Sequence, residues 1–458
     1  MARRLAICGG IDMKIRFFNA KILTMEAGKE IFDGEVWIED TKILYVGTGE
    51  DKEAFFKRTG ITCMIWDEEI DCEGNLLMPG FKDAHTHSGM TLFRSLADDL
   101  PLQEWLNGQI FPTEAKLRKE DIYEASRLAV LEYLTSGITG IFDMYLAPEE
   151  TGRACEEMGM RCVQVSGLNN FTQSPEFMEK MYLTYNQNKE DSLLSYQMGF
   201  HAEYTCSKDL LLQVADLAHK YKAPVFMHLS ETEAEVLACR ERYGMSPVQF
   251  LDAIGMFEYG GGGYHCVHLS EEDMDIFEKK KLYVITNPAS NLKLASGIAP
   301  VTALLERGIK VAIGTDGAAS NNCLDLFREM FLVSGLAKIR EKDAAAVDAT
   351  EVLKMACVNG AGAMQLTDCD GLLAGKKADL IMIDLQLPNM QPLNHIAKNI
   401  VYSGSKQNVK MTMINGKILY RDGKFFVGVK PEEIYQRVNS IMQRIKKERN
   451  ENVSLGEN

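Results

Sequence analysis

His85 and His87 stand either side of one threonine in the run Asp83-Ala84-His85-Thr86-His87. On a strand, side chains two residues apart point to the same face. Both imidazoles can then reach one divalent cation. A third imidazole and a carboxylate from other strands would complete a nitrogen–oxygen site with a position left open for water. Candidate donors recur further along the chain. They are His201, the run His228-Leu229-Ser230-Glu231, the run His265-Cys266-Val267-His268, and Asp316 within Gly314-Thr315-Asp316-Gly317. Zinc is the cation expected of such donors, and iron suits them too. Any one of these residues alone is more often ordinary structure. A lone strand-end histidine is usually a hydrogen-bonded core residue, and an aspartate between glycines is usually a turn former or a helix cap. Their joint placement carries the argument.

The elements that must position them alternate through the middle of the chain. Apolar strand-like runs are predicted at 81–85, 138–145, 161–167, 196–201, 223–228, 263–268, 282–286 and 310–314. Amphipathic helical stretches lie between most of them, at 120–136, 150–158, 208–221, 231–241, 270–280 and 298–307. Such alternation predicts an α/β fold, a parallel (β/α)₈ barrel over residues 79–367. A barrel places chemistry at the C-terminal ends of its strands. Six of the eight histidines fall at those ends.

Both chain ends read as β-rich. Short strands are predicted at Ile15–Phe18, Lys21–Thr24, Gly34–Glu39, Ile43–Gly47 and Cys63–Trp66, with a helical stretch near Glu53–Arg58. Near the C-terminus they are predicted at Ala378–Asp384, Asn399–Tyr402, Val409–Ile414 and Lys417–Tyr420, with Asn415-Gly416 as a hairpin turn. One small β-sandwich built from residues 13–78 and 368–426 is the expectation. Residues 1–12 read as a disordered extension, and 427–458 as a terminal helix with a frayed tail beyond 449. The glycines at 260–263 lack the Lys-Ser/Thr of a phosphate loop and read as a flexible turn.

Composition narrows the function classes. A net charge of −15 argues against nucleic acid or an anionic membrane as partner. No run of 18 apolar residues is present to span a bilayer. The 11 cysteines are scattered, with no C-x-x-C pair, which is the usage of a reducing cytoplasm. The H-x-E…P-C-x-x-C signature of cytidine-type zinc deaminases is missing.

The run Pro79-Gly80-Phe81-Lys82-Asp83-Ala84-His85-Thr86-His87 resembles the opening motif of the amidohydrolase superfamily. Further runs narrow the resemblance: Ser95–Leu106, His228-Leu229-Ser230-Glu231-Thr232-Glu233, Asn287–Gly297 and Gly314–Asn322. Together they look like the 5-methylthioadenosine/S-adenosylhomocysteine deaminases of the chlorohydrolase/deaminase branch, from about Met13 to Gly423. The resemblance implies metal ligands at His85, His87, His228 and Asp316. It implies proton-handling roles for Glu231, His265 and Asp316, and substrate contacts at Glu114 (ribose hydroxyls) and His201 (base). The implied reaction is hydrolytic release of ammonia from an adenosine-type nucleoside. Guanine or pterin deamination and triazine dechlorination are the alternatives on the same scaffold, and a non-catalytic binding protein is a third. Further copies of the chain, as a homo-oligomer, are the other expected partner. Trp105 is expected either beside the pocket or in a structural role.

Two departures from the pattern stand out. Glu203 occupies the place of a proline in the usual His-Ala-Pro-Tyr-Thr-Cys run. Relatives that bind the homocysteine carboxylate carry an arginine before the fourth strand. Here Phe177 falls in that register, with no arginine anywhere in 162–200. No other side chain replaces a bidentate guanidinium well, so S-adenosylhomocysteine is expected to be a poor substrate.

Overall fold

In the barrel strands apolar residues run almost unbroken, because parallel strands covered on both faces bury both sets of side chains. The computed structural model describes residues 13–456 apart from 62, 102–103 and 188–191. The extension expected at 1–12 lies outside the described residues. The first five strands are β1 (Lys14–Ile22), β2 (Phe32–Glu39), β3 (Lys42–Gly47), β4 (Glu68–Asp71) and β5 (Leu76–Pro79). The barrel follows with β6 (Phe81–His87), β7 (Ile138–Met144), β8 (Arg161–Val165), β9 (Leu194–Ala202), β10 (Val225–Leu229), β11 (Gly261–His265), β12 (Tyr283–Thr286) and β13 (Lys310–Ile313). Each pairs in parallel with the next. The chain continues from β13 into β14 (Asp316–Gly317), which pairs in parallel with β6, Asp316 opposite Thr86. That pairing closes the ring and brings Asp316 beside the first-strand histidines. Below the mouth, Ala84, Phe142, Val163, Phe226, Tyr264 and Ile285 fill the interior.

The second sheet draws on both chain ends, as expected. β5 pairs antiparallel with β15 (Leu380–Ile383), Met78 opposite Ile381. β16 (Val409–Ile414), β17 (Lys417–Arg421) and β18 (Lys424–Phe425) follow as antiparallel neighbours. The β16–β17 turn is the expected Asn415-Gly416 pair, with φ of 50° and 75°. Both residues in the left-handed region is what this hairpin type requires.

Four expectations fail locally. Residues 399–402 belong to a helix, Ile396–Tyr402, not a strand. Its buried residues Ala397, Ile400 and Val401 have helical spacing, and the His395 side chain caps it by accepting from Lys398 N. Residues 63–66 form no strand; β4 begins at Glu68. The terminal helix runs from Pro431 through Gly456, beyond the expected end at 449. The glycines at 261–263 are no flexible turn but part of buried β11. A Cβ on Gly261 would lie 2.0 Å from the Val225 carbonyl oxygen, and one on Gly262 would lie 2.3 Å from that of Tyr283. Those glycines are there so that β10 and β12 can approach.

Candidate metal centre and active site

β6 ends with His85 and His87 facing the barrel axis, β10 contributes His228, and β14 brings Asp316 across the closure. One donor atom from each lies within 4.8 Å of all the others. Asp316 Oδ1 is 3.1 Å from His87 Nε2 and 3.5 Å from His85 Nε2. Its other oxygen accepts from Ser290 Oγ (2.6 Å) and Ser320 Oγ (2.8 Å), so Oδ1 alone is left to face the imidazoles.

The tautomers follow from the surroundings. His87 Nδ1 donates to the Met144 carbonyl (2.5 Å) and His228 Nδ1 to the His201 carbonyl (2.7 Å). Each therefore turns Nε2 inward, and the two Nε2 atoms stand 3.4 Å apart. His85 stacks on the Tyr264 ring with centroids 3.7 Å apart, and neither of its buried nitrogens has a hydrogen-bond partner. Burial pushes His85 down to about 3 and His228 well below the usual range, the latter helped by His201 and His85. These are neutral imidazoles with inward lone pairs. Burial opposes charge on His87, yet the Asp316 carboxylate holds it up at about 9. Burial likewise opposes charge on Asp316, and His85 and His87 overcome it, keeping the carboxyl ionised. Two inward lone pairs, one carboxylate oxygen and a third imidazole nitrogen that a cation would strip of its proton surround a common point, a donor set that fits a divalent cation.

The other predicted residues sit around this centre. His265 Nδ1 donates to Asn291 Oδ1 (2.7 Å), which turns Nε2 toward the pocket. There it lies 3.8 Å from Glu231 Oε2, and Glu231 Oε1 accepts from Ser296 Oγ (3.0 Å). Glu114 faces the same pocket further out and accepts from the Tyr145 hydroxyl (2.9 Å). Burial raises it to about 7. His201 lines the pocket with Nδ1 3.1 Å from Thr205 Oγ1, and burial lowers it to about 4. Trp105 packs beside the pocket with its ring buried. His268 stays outside, bonded to the Ser296 carbonyl (2.8 Å). All eight site residues predicted from the sequence, His85, His87, Glu114, His201, His228, Glu231, His265 and Asp316, line one cavity of about 550 Å³ or its floor.

The two departures have structural answers. Glu203 points away from the cavity and pairs with Arg242 at 2.5 Å. Phe177 lies on the helix Pro175–Asn186, packed against the core and not on the cavity wall. The wall there is made by Asn169, Phe171 and Thr172.

Several supporting residues carried no role in the sequence reading. Asn291, Ser296, Ser290 and Ser320 hold His265, Glu231 and Asp316 in place. Glu235 accepts from Ser230 N and Glu231 N, both at 2.8 Å, and so fixes the loop that carries Glu231. A sequence signal existed for it: Thr232 and Glu235 stand three apart at a helix start, where Thr232 caps Glu235 N. His265, Cys266, Ser230 and Asp316 adopt φ of 68°, 49°, 51° and 58°. Non-glycine residues in that region cost about 1–3 kcal/mol each, and they cluster where function over-determines the backbone.

A closed parallel barrel with three histidines and an aspartate converging at its C-terminal mouth defines a class, the barrel hydrolases that use a divalent cation. The Amidohydrolase family matches residues 76–419. A 5'-deoxyadenosine deaminase from Methanosarcina acetivorans is 41% identical over 408 residues, 88% of this chain and 91% of that one. A 5-methylthioadenosine/S-adenosylhomocysteine deaminase from Desulforamulus reducens is 41% identical over 409 residues, 88% of this chain and 93% of its own. The crystal structure of an adenosine deaminase from Xanthomonas campestris with bound zinc superposes with a TM-score of 0.88 at 29% identity, covering 95% of this chain and 99% of that one. The chain belongs to the amidohydrolase family.

Proposed function

We propose that this chain hydrolytically deaminates an adenosine-type nucleoside, using one divalent cation, zinc, held by His85, His87, His228 and Asp316. The observation that carries the reading is the placement of Glu231 and His265 against that donor set, with Glu114 further out on the same cavity wall. The deaminase names of the relatives and the zinc in the similar crystal structure support it. Bound there, the cation would supply Lewis acidity that makes water nucleophilic near neutral pH. Asp316 Oδ1 takes a proton from that water, because Ser290 and Ser320 already occupy Oδ2. His265 orients the attacking oxygen through Nε2. Glu231 delivers a proton to the ring nitrogen next to the carbon under attack. Asp316 passes the proton it took to the amino nitrogen, the carbon–nitrogen bond breaks, the hydroxyl returns its proton to Glu231 as it becomes a carbonyl, and ammonia leaves. His201 is assigned to the base and Glu114 to the ribose hydroxyls, a reading supported by their place on the wall of the same cavity.

Asp316→Asn and Glu231→Gln are the direct tests. Both proteins are expected to fold with unchanged circular dichroism, and Glu231→Gln to lose about 10²–10⁴ in kcat. Wild-type ammonia release from either would overturn the assignment. A panel with guanine, pterins and a chlorotriazine, read as ammonia against chloride, separates the rival hydrolyses. The proposal includes a cytoplasmic location, supported by ten free cysteines among the described residues, most of them buried. No helix among those residues is long and apolar enough to cross a membrane. It also includes self-association, supported by the exposed side chains of Leu292, Phe331 and Ile339; a solution mass of one chain by light scattering would remove that part.

A further inference from the structure

One stretch of the cavity wall is gripped from behind by the far end of the chain. Residues 105–115 supply Trp105, Leu106, Phe111, Glu114 and Ala115 to the lining. The stretch is a wide π-type turn, Trp105–Ile110, followed by a single helical turn, Phe111–Glu114. Such wide turns are rare and recur at functional sites. On the cavity side, the Tyr145 hydroxyl donates to Glu114 Oε1 at 2.9 Å.

On the other side stands the helix Pro431–Gly456, which follows the last strand of the end-built sheet. Its 26 residues span about 39 Å at the α-helical rise. An apolar stripe of Ile434, Val438 and Ile445, with Ile441 partly buried between them, docks it on the body of the molecule. Charged pairs follow along its length: Arg437 with Glu124 (3.2 Å), Arg444 with Asp121, and Glu448 with Arg118 (3.5 Å). Those three partners belong to the helix Lys119–Thr135 and its N-cap, directly after the wall stretch.

The last contacts reach the wall itself. Arg444 Nη1 donates to the Lys116 carbonyl (3.3 Å). The Arg449 fork spans both turns: one terminal nitrogen donates to Thr113 Oγ1 (2.7 Å) and the other to Gln109 Oε1 (2.9 Å). Thr113 is fully buried and donates in turn to the Gln109 carbonyl (2.5 Å). The guanidinium thus closes the junction where the π-type turn becomes the turn that carries Glu114. Both of its acceptors there are neutral, so attraction between charges does not account for the contact. A planar fork on two acceptors one turn apart fixes an orientation that a point charge would not.

Resting on the deaminase reading, in which Glu114 meets the ribose hydroxyls, we propose that Arg449 is a positioning residue: the C-terminal helix sets, through Thr113 and Gln109, where the Glu114 carboxylate stands. The test is steady-state kinetics of the zinc-loaded full chain. The riboside is whichever of adenosine and 5'-deoxyadenosine the wild-type chain turns over faster. It is set against 2',3'-dideoxyadenosine, which offers Glu114 no ribose hydroxyl. Arg449→Ala is expected to raise KM for the riboside about tenfold with kcat within about threefold, the mark of lost ground-state binding. It is expected to leave kcat/KM for the dideoxy compound within about threefold, so the ratio between the two shrinks. Thr113→Val removes an acceptor from the wall side without touching the helix, and is expected to shrink the ratio likewise. The double variant is expected to be no worse than Arg449→Ala alone. Arg449→Lys, with a point charge in place of the fork, is expected to keep part of the ratio. Arg437→Ala, which breaks a docking pair on the same helix, is expected to leave the ratio at the wild-type value. An unchanged ratio in Arg449→Ala or in Thr113→Val would overturn the proposal. So would an equal fall in Arg437→Ala, because the helix would then act through docking alone. A wild-type chain that treats riboside and dideoxy compound alike would remove the part given to Glu114, and the proposal with it. No ammonia from either riboside would sink the deaminase reading itself.

Discussion

Asn291 bears on the proposed reaction through His265. Its amide oxygen accepts the Nδ1 proton at 2.7 Å and so fixes which nitrogen faces Glu231. Asn291→Ala frees the ring to flip and leaves Nδ1 without a buried acceptor. We expect kcat to fall about 10–100-fold, the range for partners that orient a site imidazole. Metal content by elemental analysis should stay at the wild-type level, because Asn291 touches none of the four cation donors. Loss of metal in step with activity would make Asn291 a prop for the whole centre instead. The clustered residues were readable from the sequence because type and strand-end position coincide: six histidines at four predicted strand ends is a pattern. Asn291, Ser296 and Ser290 were not. A serine or asparagine on a short helix or just past it has no periodic or compositional mark, and its role exists only once the helix Pro288–Lys293 and the turn after it are laid across the barrel mouth.

That helix is anchored by another element. Glu329, on the helix Leu326–Glu341, accepts from Ala289 N at 3.0 Å and from Asn321 Nδ2 at 2.8 Å. It thus joins the segment carrying Ser290 and Asn291 to the loop that follows Asp316. Glu329 is fully buried, and burial raises it to about 8 despite those two donors. The sign follows from linkage. Between an unfolded value of 4.5 and a folded value of about 8, the native chain holds a proton that the unfolded chain has released. Its contribution to stability is therefore complete below pH 4.5 and is lost as pH rises through 8. Thermal melts at successive pH values should show Tm falling across that window, and falling less steeply for Glu329→Gln. Identical slopes would mean that Glu329 is ionised in the native chain throughout. Element types were legible where period and length agreed, as in the barrel strands and the helices at 208–221 and 270–280. They were misread at two kinds of place. Residues 399–402 offer an apolar run too short for its period to show, and the helix wins because His395 caps it and its apolar stripe meets the core. Glycines at 261–263 signal close approach as readily as flexibility, and only the neighbouring strands decide.

At the scale of the whole molecule, barrel and end-built sheet are joined by an ion pair with no access to water. Arg161 opens β8, and Asp379 immediately precedes β15. The guanidinium donates through Nε (2.6 Å) and a terminal nitrogen (2.9 Å) to the two carboxylate oxygens, a bidentate pair with both side chains at most 2% exposed. Asp379 Oδ1 also accepts from Asn415 N at 2.8 Å, in the hairpin turn between β16 and β17. Nearby, the Thr412 hydroxyl donates to the Leu134 carbonyl at 2.7 Å, a second tie from sheet to barrel. A buried pair of this kind adds little net stability compared with apolar residues of the same shape, because desolvation offsets the attraction. Removing one partner is different: it strands a charge in the interior at a cost of about 3–5 kcal/mol. Asp379→Ala should therefore lower Tm sharply, and Arg161→Met by a similar amount, since each leaves the other charge buried. The double variant Arg161→Met, Asp379→Ala should recover part of the loss, because neither member of the pair is then left without the other, although buried Lys82 also loses the nearby Asp379 charge. If the double variant is as unstable as the sum of the singles, the pair acts through the packing volume of its side chains and not through its charges. Because Thr412 ties the sheet to the barrel independently and β5 runs almost directly into β6, unfolding should stay a single transition in all three proteins. A second, separate transition in Asp379→Ala would show that the pair is what couples the sheet to the barrel.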